Sequence, residues 1–187
     1  MTAVAPTRWP WRRAPVPPSL RAALDPDERV LAIASCTDGR VLAASRFGLW
    51  TVDETLPGRW GWHLISKAGL TGQTPTGQTL TVTVADVIGQ LADGTQVLID
   101  MPALEFQLAE PNSVTDVVHA RVRRSVAASR YLPWPGGGGW VVLRRVPGQD
   151  GVTRQVRLDP GADTATPGFE QAVAAVADDL DEESGSG

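Results

Sequence analysis

Short apolar runs separated by turn residues fill the first part of the chain and predict β-strands. The alternation of Leu or Val with Thr over residues 79–84 is typical of a strand with one solvated face. The pairs Asp38-Gly39, Pro57-Gly58 and Asp93-Gly94 favour tight turns between neighbouring runs. Seven strands are expected, at residues 29–36, 40–45, 49–52, 60–65, 79–84, 97–100 and 104–108. The first four follow so closely that they indicate a meander.

The second half of the chain carries two amphipathic helical patterns and one further hairpin. A capping box begins at Ser113, and a helix is expected from residue 114 to about 130, with its valines facing the sheet. A Gly-rich linker then precedes a hairpin with strands at residues 140–146 and 152–158. Thr166 starts a last helix, whose apolar residues recur every three or four positions.

Composition divides the chain into four segments. Residues 1–24 are rich in Pro and Arg, so a largely disordered tail with one short helical turn is expected there. The strands and the first long helix form one domain at residues 25–131. Residues 132–180 supply the linker, the hairpin and the last helix, which are expected to pack on that domain. Residues 181–187 are expected to be a disordered acidic tail.

Three stretches of the first domain carry a resemblance to a known fold. The stretches ERVLAIASCTDGRVLAASRFGLWTV, GWHLISKAGL and TLTVTV are similar to the strands of bacterial PH-like (pleckstrin-homology superfold) domains, and the chain also resembles an uncharacterised actinobacterial family. The resemblance implies an α+β, mainly β fold, with seven strands in two nearly orthogonal sheets capped by a helix, serving as a binding module. Lipid-binding members carry a basic first hairpin loop, whereas here that loop is short and contains Asp38.

Composition places the chain among soluble globular proteins. Of its 187 residues, 42% are hydrophobic and 20% are charged. No apolar run approaches the roughly 18 residues that span a bilayer, and the start of the chain lacks a signal-like stretch, so a cytoplasmic protein is expected. The single cysteine, Cys36, excludes an internal disulfide and a Cys-rich zinc site. No metal site and no cofactor is predicted.

The net charge of −4 conceals four blocks of alternating sign. Residues 1–24 carry +4, residues 25–111 carry −6, residues 112–158 carry +6 and residues 159–187 carry −8. The third block predicts a basic patch, formed by Arg121, Arg123, Arg124, Arg144, Arg145, Arg154 and Arg157. This patch meets an anionic partner, or the acidic block neutralises it within the molecule. A nucleic acid is not the expected partner, because few aromatic residues accompany these arginines and the overall charge is negative.

Tryptophan is the unusual component, with 7 residues beside 3 Phe and 1 Tyr. Trp60 and Trp62 share a strand face by their spacing, so they are expected to be both buried or both presented to a partner. The tail adds four candidates for contact with a protein partner or an anionic membrane surface: Trp9, Trp11, Arg12 and Arg13. A tail that merely packs on the protein's own surface is the alternative.

Residues suited to acid–base or nucleophilic catalysis are few. His63 in a strand, His119 on a solvent-facing helix side and Cys36 at a strand end occupy positions that favour structural roles. No nucleophile elbow or phosphate-binding loop motif is present, and residues 136–139 are expected to form a flexible hinge. The sequence therefore favours a non-enzymatic cytoplasmic adaptor for a protein partner. The alternatives are membrane association through residues 8–13 and an enzyme or small-molecule carrier.

Overall fold

The computed structural model of the protein describes residues 15–53, 57–74, 77–109 and 113–185, and this part of the chain is mainly β, as expected. The helices are α1 (Pro18–Ala23), α2 (Val114–Ser125) and α3 (Phe169–Gly185). The strands are β1 (Val30–Ser35), β2 (Val41–Ser45), β3 (Gly48–Val52), β4 (Pro57–Gly61), β5 (Ile65–Thr74), β6 (Gly77–Gln90), β7 (Gln96–Asp100), β8 (Leu104–Leu108), β9 (Val126–Leu132), β10 (Gly139–Arg144) and β11 (Thr153–Leu158).

The first four strands form one antiparallel sheet in the order β1-β2-β3-β4, so the predicted meander is confirmed. The fourth strand expected at residues 60–65 is wrong in its bounds, because a 3-10 turn at Trp62–Leu64 separates β4 from β5. The indole nitrogen of Trp62 donates to the carbonyl oxygens of Ser45 and Arg46, both at 3.2 Å. These bonds hold the ring inside the core at the end of β2, and the strand is interrupted there.

The remaining strands form a second sheet in the order β5-β6-β7-β11-β10-β9, which curls into a half barrel. The long strand β6 pairs with β5 and β8 along its first half and with β7 along its second half. Strand β11 runs parallel to β7, so the C-terminal hairpin extends this sheet. Backbone hydrogen bonds from Thr37 to Gln107 and from Ala109 to Ser35, both 2.9 Å, join the ends of β1 and β8.

Helix α2 is shorter than the sequence pattern predicts, and an unpredicted strand follows it. The helix ends at Ser125, and β9 then pairs with β10 over its length. Ala127 and Ala128 have high helix propensity, but both pack on the core beneath α3 once the strand forms. Tertiary pairing therefore overrides the local preference. Ser113 makes no side-chain cap, so the capping prediction is also wrong.

Three apolar clusters hold the elements together. The largest lies between the first sheet, β5, β6, β8 and α2, and its members Leu49, Trp62 and Phe106 are at most 1% exposed. The second joins β10 and β11 to α3. The third packs α1 on the first sheet through Leu20, which is fully buried against Trp50 and its neighbours. The described end of the expected tail, from residue 15, is therefore part of the folded body.

The Gly-rich stretch between β9 and β10 is a packed turn, and the expected flexible hinge is wrong. A side chain at Gly138, where φ is +102°, would lie 2.6 Å from the Tyr131 hydroxyl. The indole nitrogen of Trp134 donates to the Asp163 carbonyl at 3.0 Å, and its ring lies 5.6 Å from the ring of Phe169. Close backbone approach, which only glycine permits, explains the composition of this segment.

Helix α3 carries the predicted apolar face, because Phe169, Val173 and Leu180 are all buried on the second cluster. The helix continues to Gly185, so residues 181–185 do not form the expected disordered tail. Its acidic end forms ion pairs with the sheet, including 2.5 Å between Arg130 and Glu183. Within the described ranges, neither α3 nor any other helix is long and apolar enough to cross a membrane.

Candidate functional site

Arg144 does not belong to a surface patch, which corrects the sequence prediction. Its side chain is 2% exposed and donates to the Ser125 hydroxyl at 2.6 Å and to the Ile65 carbonyl at 3.3 Å. Burial, together with the nearby cation Arg157, lowers the pKa of Arg144 to about 10, so the group stays protonated at neutral pH. Arg144 is therefore an internal cation that links α2, β5 and β10.

Arg154 and Arg157 are paired with acidic residues inside the molecule. The guanidinium of Arg154 lies 2.8 Å from Asp178 and 2.5 Å from Asp181, both on α3. The guanidinium of Arg157 lies 3.3 Å from the Asp100 carboxylate, and burial lowers its pKa while Asp100 opposes that shift. Internal neutralisation, one of the two interpretations of the charge pattern, is thus correct for these two arginines.

Three other arginines of the expected patch line one cleft of about 250 Å³, here named the arginine cleft. Arg121 and Arg124 reach it from α2, and Arg145 reaches it from the residue after β10. A fourth arginine, Arg46, comes from the turn between β2 and β3. Arg123 is exposed on the same helix but does not line the cleft. The lining is completed by Trp62, Ser125, Val146, Pro147 and Gly148.

The end of α2 positions three of these arginines. Arg121 and Arg124 are three residues apart, so their side chains leave the helix on the same side. The backbone amide of Arg145 donates to the Ser125 carbonyl at 2.7 Å. Its guanidinium also makes long contacts of 3.5 Å and 3.4 Å with the carbonyls of Arg124 and Val126. These contacts are weak, so most of the donors of Arg145 stay available to a ligand.

Two turns that touch each other bring Arg46 to the same cleft. The guanidinium of Arg46 lies 5.2 Å from the centroid of the Phe47 ring. That ring lies so close to Gly148 that a side-chain carbon there would be 3.4 Å away. A backbone bond of 3.1 Å from Gln149 to Val146 closes the second turn. The β2–β3 turn and the β10–β11 connection therefore form one continuous rim.

The charge of the arginine cleft is not compensated from within. As far as the structure describes the chain, its lining contains no acidic residue. In the part of the chain that the structure describes, no carboxylate lies within ion-pair distance of Arg121, Arg124 or Arg145. Arg46 lies 3.6 Å from Asp27, but both side chains are more than half exposed, and such a pair contributes little. The cleft therefore presents positive charge to solvent.

Trp60 and Trp62 do not form an exposed aromatic pair, so the presented alternative is wrong. Trp62 is 1% exposed in the main core. Trp60 is half-buried against the same core, with its ring 6.4 Å from the ring of Phe106. The other aromatic and basic candidates lie outside the described residues: Trp9, Trp11, Arg12 and Arg13.

The residues considered for catalysis do not line the arginine cleft. Burial, with a contribution from Arg144, lowers the pKa of His63. His119, expected to face solvent, is half-buried, and its Nε2 has no partner among the described residues. Cys36 is 5% exposed, and burial and Asp38 raise its pKa to about 11. Within the described ranges, no group of three His, Cys, Asp or Glu side chains could hold a metal ion.

The arrangement is suited to binding an anion. Guanidinium groups form paired hydrogen bonds with carboxylate and phosphate oxygens, and four of them reach one cleft here. The sequence pattern identified Arg121, Arg124 and Arg145 but missed Arg46, which lies in the acidic block. The sequence places Arg46 in a turn between two strands, but this position does not predict that Arg46 lines the cleft.

Comparison with known proteins assigns the chain to no family. No protein-family model matches it, and no match is found among curated proteins or among solved structures. The geometry and charge of the arginine cleft are therefore the observations that indicate a function.

Proposed function

We propose that this chain is a non-enzymatic cytoplasmic binding module that recognises an acidic segment of a protein partner in the arginine cleft. The observation that carries this proposal is the convergence of four arginines from three chain segments on a lining in which the described residues include no acid. Elsewhere, Arg59, Arg130 and Arg154 lie within 2.9 Å of carboxylates. Cations that the fold leaves without such partners attract an oppositely charged ligand.

The remaining lining residues favour a polypeptide segment as the ligand. Val146 and Pro147 contribute carbon atoms beside the guanidinium groups. Acidic segments carry aliphatic side-chain stems and a backbone that can contact such atoms while the carboxylates meet the arginines. The specificity of the complex then comes from charge complementarity, and its affinity comes from the apolar contacts.

We propose further that β1 to β8 and α2 form a PH-like unit of the actinobacterial type that the sequence resembles. The β1–β4 meander, the group of β5, β6 and β8 across the core, and the position of α2 on that core support this assignment. The hairpin β10–β11 and α3 are then an extension of the unit. The arginine cleft lies where the unit, through Arg46 and α2, meets the extension, through Arg145.

The test is fluorescence anisotropy with a fluorescein-labelled peptide containing a run of glutamates, with the matching glutamine peptide as reference. At low salt the glutamate peptide is expected to bind with a Kd of roughly 10–100 μM and to dissociate as salt is added. The double variant Arg121→Gln/Arg124→Gln is expected to lower its affinity about tenfold, because each lost guanidinium removes a charge-assisted contact.

The matched control is Arg21→Gln/Arg123→Gln, which removes the same charge at two exposed positions outside the cleft. Its affinity is expected to stay within about twofold of the parent protein. An equal loss in both double variants, or no binding by the parent protein, would overturn the proposal. Tight binding of anionic vesicles without any binding of the peptide would favour the membrane surface as the partner instead.

A further inference from the structure

The arginines of the cleft approach a common space from different directions. They belong to the β2–β3 turn, to the last turns of α2 and to the connection after β10. A carboxylate presents two oxygens in one plane, so guanidinium forks pair well with it only when they lie close to that plane. A phosphate monoester presents three oxygens in a tetrahedral arrangement, and donors arriving from three segments can each meet one of them.

The charge of the cleft also exceeds what one carboxylate can balance. Four guanidinium groups line it, and Asp27 lies 3.6 Å from Arg46 at an exposed position. A glutamate of the ligand brings one negative charge, whereas a phosphorylated side chain brings about −1.5 to −2 at neutral pH. The volume of about 250 Å³ is below the range of about 300–1,000 Å³ that is typical of sites enclosing whole ligands. The cleft therefore fits the end of one side chain.

We infer that the arginine cleft selects a phosphorylated serine or threonine of the partner over an aspartate or glutamate. This inference rests on the proposed function, since it names the group within the acidic segment that the cleft holds. The arginines supply paired N–H donors in fixed planes, which lysines with the same charge would not supply. Arg145, with its backbone anchored to Ser125 and its guanidinium in weak contacts, is the best placed to turn toward the phosphate.

The experiment uses three fluorescein-labelled peptides with identical acidic flanks and a central phosphoserine, glutamate or serine. The phosphoserine peptide is expected to bind the full-length protein about tenfold more tightly than the glutamate peptide. The variant Arg124→Lys/Arg145→Lys keeps the charge and loses the planar forks. It is expected to bind both acidic peptides less tightly, and the phosphoserine peptide is expected to lose more affinity, so that its advantage over the glutamate peptide falls from about tenfold to about twofold. A thermal melt checks that the variant is folded.

The pH dependence gives a second readout that a carboxylate cannot produce. The second ionisation of a phosphate monoester lies near pH 6, so affinity for the phosphoserine peptide is expected to rise several-fold between about pH 5 and about pH 7.5. Neither His63 nor His119 lines the cleft. Asp27 lies 3.6 Å from Arg46, and it is present for every peptide. Affinity for the glutamate peptide is expected to change less.

The outcomes separate the inference from the proposed function. Equal affinities for the phosphoserine and glutamate peptides would overturn the inference and leave the proposed function standing. If none of the three peptides binds the parent protein more tightly than it binds the variant Arg121→Gln/Arg124→Gln, both the inference and the proposed function are overturned. Binding of vesicles that contain a phosphorylated inositol lipid, with no binding of the phosphoserine peptide, would assign the phosphate to a lipid and overturn the phosphorylated side chain as its source.

Discussion

At the scale of single residues, burial and pairing give chemically identical side chains different roles. Arg144 and Arg145 are neighbours in sequence, yet the first is 2% exposed and the second lies at the rim of the arginine cleft. Arg144 is the last residue of β10, and Arg145 is the first residue after the strand. One therefore stabilises the interior, and the other is available to a ligand.

This difference predicts different effects on stability. Arg144→Ala is expected to lower the free energy of unfolding by about 3 kcal/mol, because it removes a large buried side chain and its bonds to Ser125 and Ile65. Arg145→Ala, the matched control, is expected to change it by less than about 0.5 kcal/mol. Urea denaturation measures both values. Equal effects of the two substitutions would refute the placement of Arg144 in the core.

Cys36 provides a test of burial through its pKa. Burial and the neighbouring Asp38 raise that pKa from 9.0 to about 11, which leaves roughly a hundredfold less thiolate at pH 8. Alkylation of the native protein by iodoacetamide at pH 8 is therefore expected to be about a hundredfold slower than alkylation in urea. Native alkylation is expected to accelerate as the pH rises toward 11. A native rate close to that of the unfolded chain would contradict the burial of this thiol.

At the scale of elements, close backbone approach determines how β3 meets β4. A side-chain carbon at Gly48 would collide with the carbonyl oxygen of Trp60 and lie 2.9 Å from Arg59. A side-chain carbon at Gly69, on β5, would meet no heavy atom within 4 Å. Steric contact therefore requires glycine at position 48, whereas position 69 has room for a side chain, although both residues lie in strands.

Substitution by alanine separates these two cases. Gly48→Ala is expected to destabilise the protein by about 2 kcal/mol, because the first sheet must shift to admit the methyl group. Gly69→Ala is expected to be neutral or to stabilise by up to about 1 kcal/mol through the unfolded state. Calorimetry reports both as shifts in Tm of about 2–4 °C per kcal/mol. A Tm for Gly48→Ala that equals that of Gly69→Ala would show that the β3–β4 contact is looser than described.

The elements that the sequence predicted are those with strong periodic signals. The β1–β4 meander and the apolar face of α3 follow directly from the spacing of apolar residues and turn pairs. Strand β5 was not predicted, because residues 65–74 are polar and rich in glycine and depend on pairing with β6. The sequence pattern extends α2 over most of β9, because Ala127 and Ala128 favour a helix until β10 is available as a partner.

At the scale of the whole molecule, folding brings residues from the oppositely charged blocks of the chain together as ion pairs. The acidic end of α3 neutralises Arg130 and Arg154, while Asp100 pairs with Arg157. Among the described residues, the arginine cleft at the junction of the first sheet, α2 and the C-terminal hairpin keeps positive charge that no lining carboxylate balances. The sequence contained the arginines of this cleft but not their grouping, because Arg46 joins the others only through contact between two distant turns.

The most direct test of this account locates the ligand on the protein. A ¹H–¹⁵N spectrum that resolves the arginine side-chain Nε–H groups is recorded while the phosphoserine peptide is added to full-length protein. The signals of the cleft arginines are expected to shift together and saturate at one Kd: Arg46, Arg121, Arg124 and Arg145. Arg21 and Arg123 are expected to stay unchanged, because they lie outside the cleft. Shifts spread over all exposed arginines, or confined to arginines outside the cleft, would contradict the account.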